Sequence, residues 1–246
     1  MVFTGAGVST ESGIPDFRGP NGLWQRLQPI LYQDFITNPE ARRESWQRSK
    51  TSYQQFASAR PNAAHLAIAD LERMGKISCV VTQNIDNLHR MAGSQKVIEL
   101  HGNSHWVACL SCNKRYARSE VQDWLEQGVE VPVCPDCGGI MKTTVISFGE
   151  AMPEQEVREA ERAAQACDVC LVVGSSLVVY PAAYIPRYAK QAGARLVLLN
   201  DSETDLDGRA DAVLRGRAGQ ILPPIVEQVR RLFAAQPGTA PLPDQV

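Results

Sequence analysis

The chain lacks an excess of charge of either sign: 25 Lys and Arg stand against 27 Asp and Glu, for a net charge of -2. That balance argues against a nucleic-acid or anionic membrane partner. It also lacks a long apolar run. Val169–Val173 and residues 196–199 are among the longest, far short of a bilayer span. No signal-peptide pattern precedes the first motif, and no internal repeat is present. The cysteine count is seven, an odd number that does not suit a disulfide framework. These absences predict a protein of a reducing compartment, the cytoplasm; a monomer is expected. With 44% hydrophobic and 21% charged residues, the composition is that of an ordinary globular protein. Its 246 residues leave room for one large domain with an inserted module, or for two small domains.

Short β-branched stretches alternate with helical patterns. Residues 2–4, 77–81, 97–100, 169–173 and 196–199 read as buried strands. Pro61 and Asn62 open a helix that carries Leu66, Ile68 or Ala69, Leu71 and Met74, and Gly75 ends it. Ser119, Glu120, Val121 and Gln122 predict a capping box ahead of a short helix with Trp124 and Leu125. Pro153 predicts the start of a helix through Gln165. Residues 20–60, polar and rich in Trp, Gln and Arg, predict helices and loops over the sheet. The alternation predicts an α/β fold, a doubly wound parallel sheet. Residues 236–246, with three prolines, predict a disordered tail. The first strand begins where such a fold normally has more chain ahead of it, so residue 1 reads as a late or trimmed start.

Between residues 100 and 145 the alternation breaks. Cys109 and Cys112 form one C-x-x-C pair, and Cys134 and Cys137 form another after 21 intervening residues. Two tight turns that each present two thiolates complete a tetrahedral zinc site. The alternative is two redox or packing pairs; the spacing favours zinc. Four sulfur ligands leave no open position, so the metal is structural and the chemistry lies elsewhere. His105 lies near the first pair and is not needed as a ligand. Cys79, Cys167 and Cys170 sit in or beside apolar runs, where small hydrophobes are expected.

Polar groups gather where strands end. Gln83, Asn84, Ile85 and Asp86 follow the second strand, and His101 follows the third. Gly5, Ala6, Gly7 and Ser9 follow the first, Gly174, Ser175 and Ser176 the fourth, and Asn200 and Asp201 the fifth. Amide, carboxylate and imidazole are the groups that hold a ribose, orient water and move a proton. The Gly5 to Gly7 turn suits close approach of backbone N–H groups to a phosphate, although Thr10 stands where the third glycine of G-x-G-x-x-G would be. Beyond it, Gly13 to Gly19 carry Asp16, Phe17 and Arg18 on a loop able to close over a cofactor. Each cluster alone could be an ordinary turn. Five of them at the ends where open α/β sheets bind ligands argue for a site.

These segments, taken together, resemble the sirtuin family of NAD-dependent protein deacylases. The resemblance rests on residues 5–9 (Gly-Ala-Gly-Val-Ser), 13–19 (Gly-Ile-Pro-Asp-Phe-Arg-Gly), 82–89 (Thr-Gln-Asn-Ile-Asp-Asn-Leu-His), 101–102 (His-Gly), both C-x-x-C pairs, 148–150 (Phe-Gly-Glu), 174–177 (Gly-Ser-Ser-Leu) and Asn200, in family order. It implies a Rossmann-type NAD domain, residues 1–104 and 145–235, and a zinc-ribbon module, residues 105–144. Residues 20–60 would supply the mobile cofactor loop and the helical part of the small domain. NAD would lie in the cleft as co-substrate, beside one structural zinc. His101 is then the general base on the nicotinamide ribose, Asn84 orients water or ribose, Asp86 holds the carboxamide, and Gln83 contacts the ribose. Ile85 lines the same pocket. Phe17 guards the reactive face, and Asp16 and Arg18 belong to the mobile loop. Gly5, Ala6, Gly7, Ser9, Gly174, Ser175, Ser176, Asn200, Asp201 and Ala218 would line the rest of the cofactor site. An acylated-lysine protein would add as a strand beside Val145, Ile146, Phe148 and Gly149 on one side and Leu177 and Val178 on the other.

The chain departs from the family in two places. Relatives that remove succinyl or malonyl groups carry a Tyr-x-x-Arg pair after the cofactor loop; residues 42–48 here read Arg-Arg-Glu-Ser-Trp-Gln-Arg. Acidic acyl groups therefore lack their expected partner. Relatives usually have Pro-Asp ahead of the Phe148 segment, where this chain has Thr143 and Thr144. Residues 9–16 and 174–180 look most like the class II subgroup that includes a mitochondrial sirtuin, which implies ADP-ribosyl transfer or removal of lipoyl-type acyl groups as alternatives to deacetylation. An NAD-responsive scaffold without activity would need a lost catalytic group, and none is lost.

Overall fold

The computed structural model describes residues 1–16, 22 and 27–235. Six strands form one parallel sheet: β1 (Val2–Thr4), β2 (Val80–Thr82), β3 (Val97–Glu99), β7 (Val169–Val173), β8 (Arg195–Leu199) and β9 (Ala212–Leu214). Their order is β3-β2-β1-β7-β8-β9. With the three intervening strands set aside, this is the doubly wound Rossmann order, and its switch point falls between β1 and β7. The intervening strands β4 (Trp106–Cys109), β5 (Arg115–Ala117) and β6 (Met141–Thr143) form a separate antiparallel sheet, ordered β5-β4-β6.

Successive strand residues face opposite sides of a sheet, and here both sides are covered, as a parallel sheet requires. On one side Val2 and Val80 meet Ile68 and Leu71 of α3 (Ala63–Arg73) and Leu222 and Val226 of α8 (Ala218–Ala234). On the other side Phe3, Val81 and Val172 meet Ala160 and Ala164 of α6 (Glu154–Ala166) and Ile185 and Ala189 of α7 (Tyr184–Gln191). A third core joins Phe35 of α1 (Tyr32–Thr37) and Trp46 of α2 (Pro39–Ser58) to Val107, Tyr116 and Met141 of the small sheet and to Val121 and Leu125 of α5 (Arg118–Glu126). The expectation that residues 20–60 cover the large sheet is thus corrected for α1 and the first half of α2. The only fully buried side chain of α2 is Trp46, and it fills the small sheet's core.

The capping box expected at Ser119 is also absent. α5 starts two residues earlier than that box implies, with Ala117 as N-cap and no side-chain cap. The Arg118 N–H donates instead to His105 C=O at 2.8 Å, because β5 runs straight into the helix. A capping box does form at α3, where Asn62 and His65 bond each other's backbone N–H. The tail at 236–246 lies outside the described residues. Among the described residues, no helix is long and apolar enough to cross a membrane.

Candidate active site

The site forms where β1 and β7 end. Gly5 N–H donates to Val173 C=O at 3.1 Å, and Gly7 N–H to Gly174 C=O at 2.8 Å. A Cβ on Gly5 or Gly7 would lie 2.8 Å from the Gly174 carbonyl oxygen, and one on Gly174 (φ +62°) 2.3 Å from the Val8 nitrogen. The three glycines therefore let two strand-end turns cross in contact, a demand that precedes any phosphate. The chain then winds into a 3-10 helix, Ala6–Ser12, which turns the Ser9 side chain inward.

Ser9 is the hub of a buried network. Its hydroxyl donates to Asp86 Oδ2 at 2.7 Å and accepts from Asn84 Nδ2 at 3.0 Å. Asp86 Oδ1 accepts the Leu88 N–H at 2.9 Å, which anchors the short helix α4 (Leu88–Met91). His65 Nδ1 accepts the Asn62 N–H, so its proton sits on Nε2, 3.4 Å from Ser9 Oγ. Beside it, at 4.9 Å between centroids, lies His89. His89 Nε2 meets Thr4 Oγ1 at 2.9 Å, Thr4 donates to Thr82 Oγ1 at 2.8 Å, and Thr82 Oγ1 accepts the Asn84 N–H at 3.0 Å. Burial pushes His65 down to about 4, against the opposing pull of Asp86, and burial with His65 nearby pushes His89 down to about 3. Both imidazoles are neutral at pH 7. Sequence reasoning missed His65. Its only signal was a position three residues after Asn62, where a capping box normally has Glu or Gln.

His101 stands apart from that pair. Its Nδ1 lies 3.0 Å from Gln83 C=O. A carbonyl only accepts, so Nδ1 carries the proton and Nε2 keeps its lone pair. Burial lowers the pKa, and the Gln83 carbonyl partly offsets this. Gln83 Nε2 in turn donates to Ser175 Oγ at 2.8 Å, across the switch point. The arrangement is a neutral imidazole oriented by the Gln83 carbonyl, which suits proton removal from a sugar hydroxyl.

The remaining expected residues fall around this centre unevenly. Asn84, Asp86, Ser175 and Asn200 are buried; Gln83, Ile85, Ser176, Ala6 and Asp16 are half-buried; Asp201 is exposed. Ala218 opens α8, where Gly219 N–H donates to Glu11 of the glycine loop at 2.7 Å. Val145 and Ile146 are half-buried, and Phe148, Gly149 and Val178 are exposed. Leu177 differs: its side chain belongs to the core, so only its backbone can meet a peptide. Neither 145–149 nor 176–179 is paired into a sheet. Phe17 and Arg18 lie outside the described residues.

The four cysteines converge. The Sγ atoms of Cys109, Cys112, Cys134 and Cys137 all lie within 4.8 Å of one another, with Cys109 to Cys137 at 3.5 Å and Cys112 to Cys134 at 3.7 Å. Sulfurs about 2.3 Å from a tetrahedral zinc would stand about 3.8 Å apart, so the set fits that ion.

Fold and site define a Rossmann-type α/β protein with a polar cluster at its switch point and a four-cysteine ribbon. The Sir2 family model matches residues 5–181. The chain is 47% identical over 230 residues to the NAD-dependent protein deacetylase of Thermodesulfovibrio yellowstonii, covering 94% of this chain and 90% of that one. It is 46% identical over 238 residues to the NAD-dependent protein deacylase of Pyrococcus furiosus, covering 94% and 93%. A solved Sir2 complex with a p53 peptide and NAD+ superposes with a TM-score of 0.86 at 38% identity, over 94% of this chain and 92% of that one. The chain belongs to the Sir2 family, the sirtuins.

Proposed function

We propose that the chain is an NAD-dependent protein-lysine deacylase, which consumes NAD to release nicotinamide, O-acyl-ADP-ribose and free lysine. The observation that carries this reading is His101, a neutral imidazole with its Nδ1 proton held by Gln83 and its Nε2 available as a base. In this reading His101 deprotonates a ribose hydroxyl, which then captures the acyl carbon. Asn84 orients water or ribose, Asp86 holds the nicotinamide carboxamide, and Gln83 contacts the ribose. Ile85 lines that pocket, and Asp16, Phe17 and Arg18 close over it. Gly5, Ala6, Gly7, Ser9, Gly174, Ser175, Ser176, Asn200, Asp201 and Ala218 line the rest of the cofactor site. The substrate peptide pairs beside Val145 to Gly149 and the Leu177 and Val178 backbone. Support comes from relatives solved with a p53 peptide and NAD+, and with a deacetylated p53 peptide and 3'-O-acetyl ADP ribose. Cys109, Cys112, Cys134 and Cys137 would hold a zinc that stabilises the ribbon and takes no part in the reaction.

Neutral acyl groups are the expected substrates. The arginines of the helix that would face an acidic acyl group are engaged elsewhere. Arg42 donates to Phe35 and Ile36 carbonyls, Arg43 pairs with Glu40 and Glu130, and Arg48 pairs with Glu44. Within the family we place the chain nearest class II, on residues 9–16 and 174–180, although the relatives compared above are prokaryotic. A cytoplasmic monomer with no nucleic-acid or membrane partner completes the reading. Incubation with NAD and a panel of acetyl- and long-chain-acyl-lysine peptides, read by mass spectrometry, tests it. O-acyl-ADP-ribose is expected; its absence with every peptide overturns the reading, and label from NAD fixed to protein points to ADP-ribosyl transfer instead.

A further inference from the structure

Lys142 is only 5% exposed, an uncommon place for a lysine. It sits on β6, whose Met141 pairs with Cys109. Its ammonium turns back onto the chain that leaves this strand. The ammonium donates to Thr143 C=O at 3.2 Å and to Val145 C=O, and pairs with Glu150 Oε2 at 2.8 Å. Glu150, with a side chain 18% exposed, uses the same Oε2 to accept the Ser147 N–H at 2.8 Å, and its own N–H returns to Ser147 C=O at 3.0 Å.

The segment 145–149 has no sheet partner. Its backbone is held group by group. Lys142 takes the Val145 carbonyl, His101 C=O accepts the Ile146 N–H at 2.9 Å, Glu150 takes Ser147, and Tyr32 N–H donates to Phe148 C=O at 2.9 Å. Among the described residues, Val145 N–H and Ile146 C=O carry no hydrogen bond. An added strand needs such groups at a fixed spacing and direction. A buried ion pair that bridges three carbonyl and amide positions supplies that fixity where no neighbouring strand does. The same pair anchors the bond from Ile146 to the backbone of His101.

We propose that Lys142 and Glu150 are positioning residues that set residues 145–148 in register for the acyl-lysine peptide. The inference rests on the reading in which 145–149 receives the substrate. Neither side chain touches the peptide; each acts through the backbone it holds. In Lys142→Met the Glu150 carboxylate loses its partner and the Ser147 N–H is released. In Lys142→Arg a cation remains.

Steady-state kinetics on the full chain, with acetyl-lysine peptide and NAD varied separately, tests this. Lys142→Met is expected to raise the peptide KM about tenfold or more, because a broken buried pair is a large perturbation. The NAD KM and kcat are expected to stay within about threefold, and Lys142→Arg to recover most of the loss. If Lys142→Met fails to fold, Glu150→Gln carries the test, with the same selective rise in peptide KM. A loss shared equally by both KM values, or confined to kcat, or no change, overturns the positioning role. A wild-type protein that turns over no acyl-peptide overturns the functional reading instead.

Discussion

Three histidines lie close to the switch point, and their surroundings give them different work. His101 keeps a free basic nitrogen and a pKa below 6.5, so it stays neutral as pH falls toward that value. The acid limb of kcat/KM is therefore expected at a midpoint below 6.5, and His101→Ala is expected to lose turnover while NAD binding is largely retained. An active alanine variant, or an acid limb above 6.5, removes His101 from the base role. His65 and His89 act on stability. Their folded pKa values, about 4 and about 3, lie below the ordinary 6.5. The unfolded chain then binds more protons than the folded one below pH 6.5. Stability is complete above that pH and falls as pH drops from 6.5 toward the folded values. The melting temperature should decline over this window, and His65→Asn should flatten the decline. The polar residues of the site were legible because they follow strand ends, where alternation breaks off. The neutral pair was not, since only burial, a tertiary property, separates His65 and His89 from surface histidines.

At the scale of elements, strong strands were readable and weak ones were not. β7 and β8 announce themselves by unbroken apolar runs, whereas β9, an edge strand with Ala212 and Val213 exposed, carries no such pattern. The helix start at Arg118 was hidden because its first N–H is satisfied by a distant carbonyl of His105, and local cap chemistry cannot report that. The ribbon was legible from ligand spacing, but its wider core was not. Phe35 and Trp46 pack with Val107, Tyr116 and Met141, so α1 and α2 depend on the small sheet. Removal of the metal should therefore loosen all of these together and leave the six-stranded sheet in place. Three of the four tryptophans, Trp46, Trp106 and Trp124, lie in α2, the ribbon strands or α5. Chelation should shift tryptophan fluorescence to the red and abolish activity, with far-UV circular dichroism mostly kept. Metal analysis should find one zinc per chain beforehand. Full unfolding on chelation would show that the large sheet also depends on the ion.

At the scale of the whole molecule, the two sheets are joined through the site itself. One connection carries His101 and Gly102, the other Thr144 to Glu150, and they lie against each other. A Cβ at Gly102, at φ +71°, would stand 1.9 Å from the Thr144 oxygen, and Thr144 Oγ1 donates to Asn103 C=O at 2.6 Å. In the proposed reading the base and the peptide segment therefore share one crossing, and the acyl group passes close to it. With a net charge of -2 the molecule has no general surplus of cations to draw an acidic acyl chain there. Arg42, Arg43 and Arg48 are held by carbonyls and carboxylates, so freeing one would break an existing bond. With these three arginines engaged, a succinyl carboxylate loses its hydration and gains none of them as a partner, a cost of at least about 3 kcal/mol in a low-dielectric site. By that arithmetic kcat/KM for succinyl-lysine should fall at least about a hundredfold below that for acetyl-lysine. The comparison needs one peptide sequence carrying either group, with the rates measured at equal NAD. Rates within tenfold of each other would mean that a cation reaches the acyl site after all, and that the departure at residues 42–48 does not set the acyl preference.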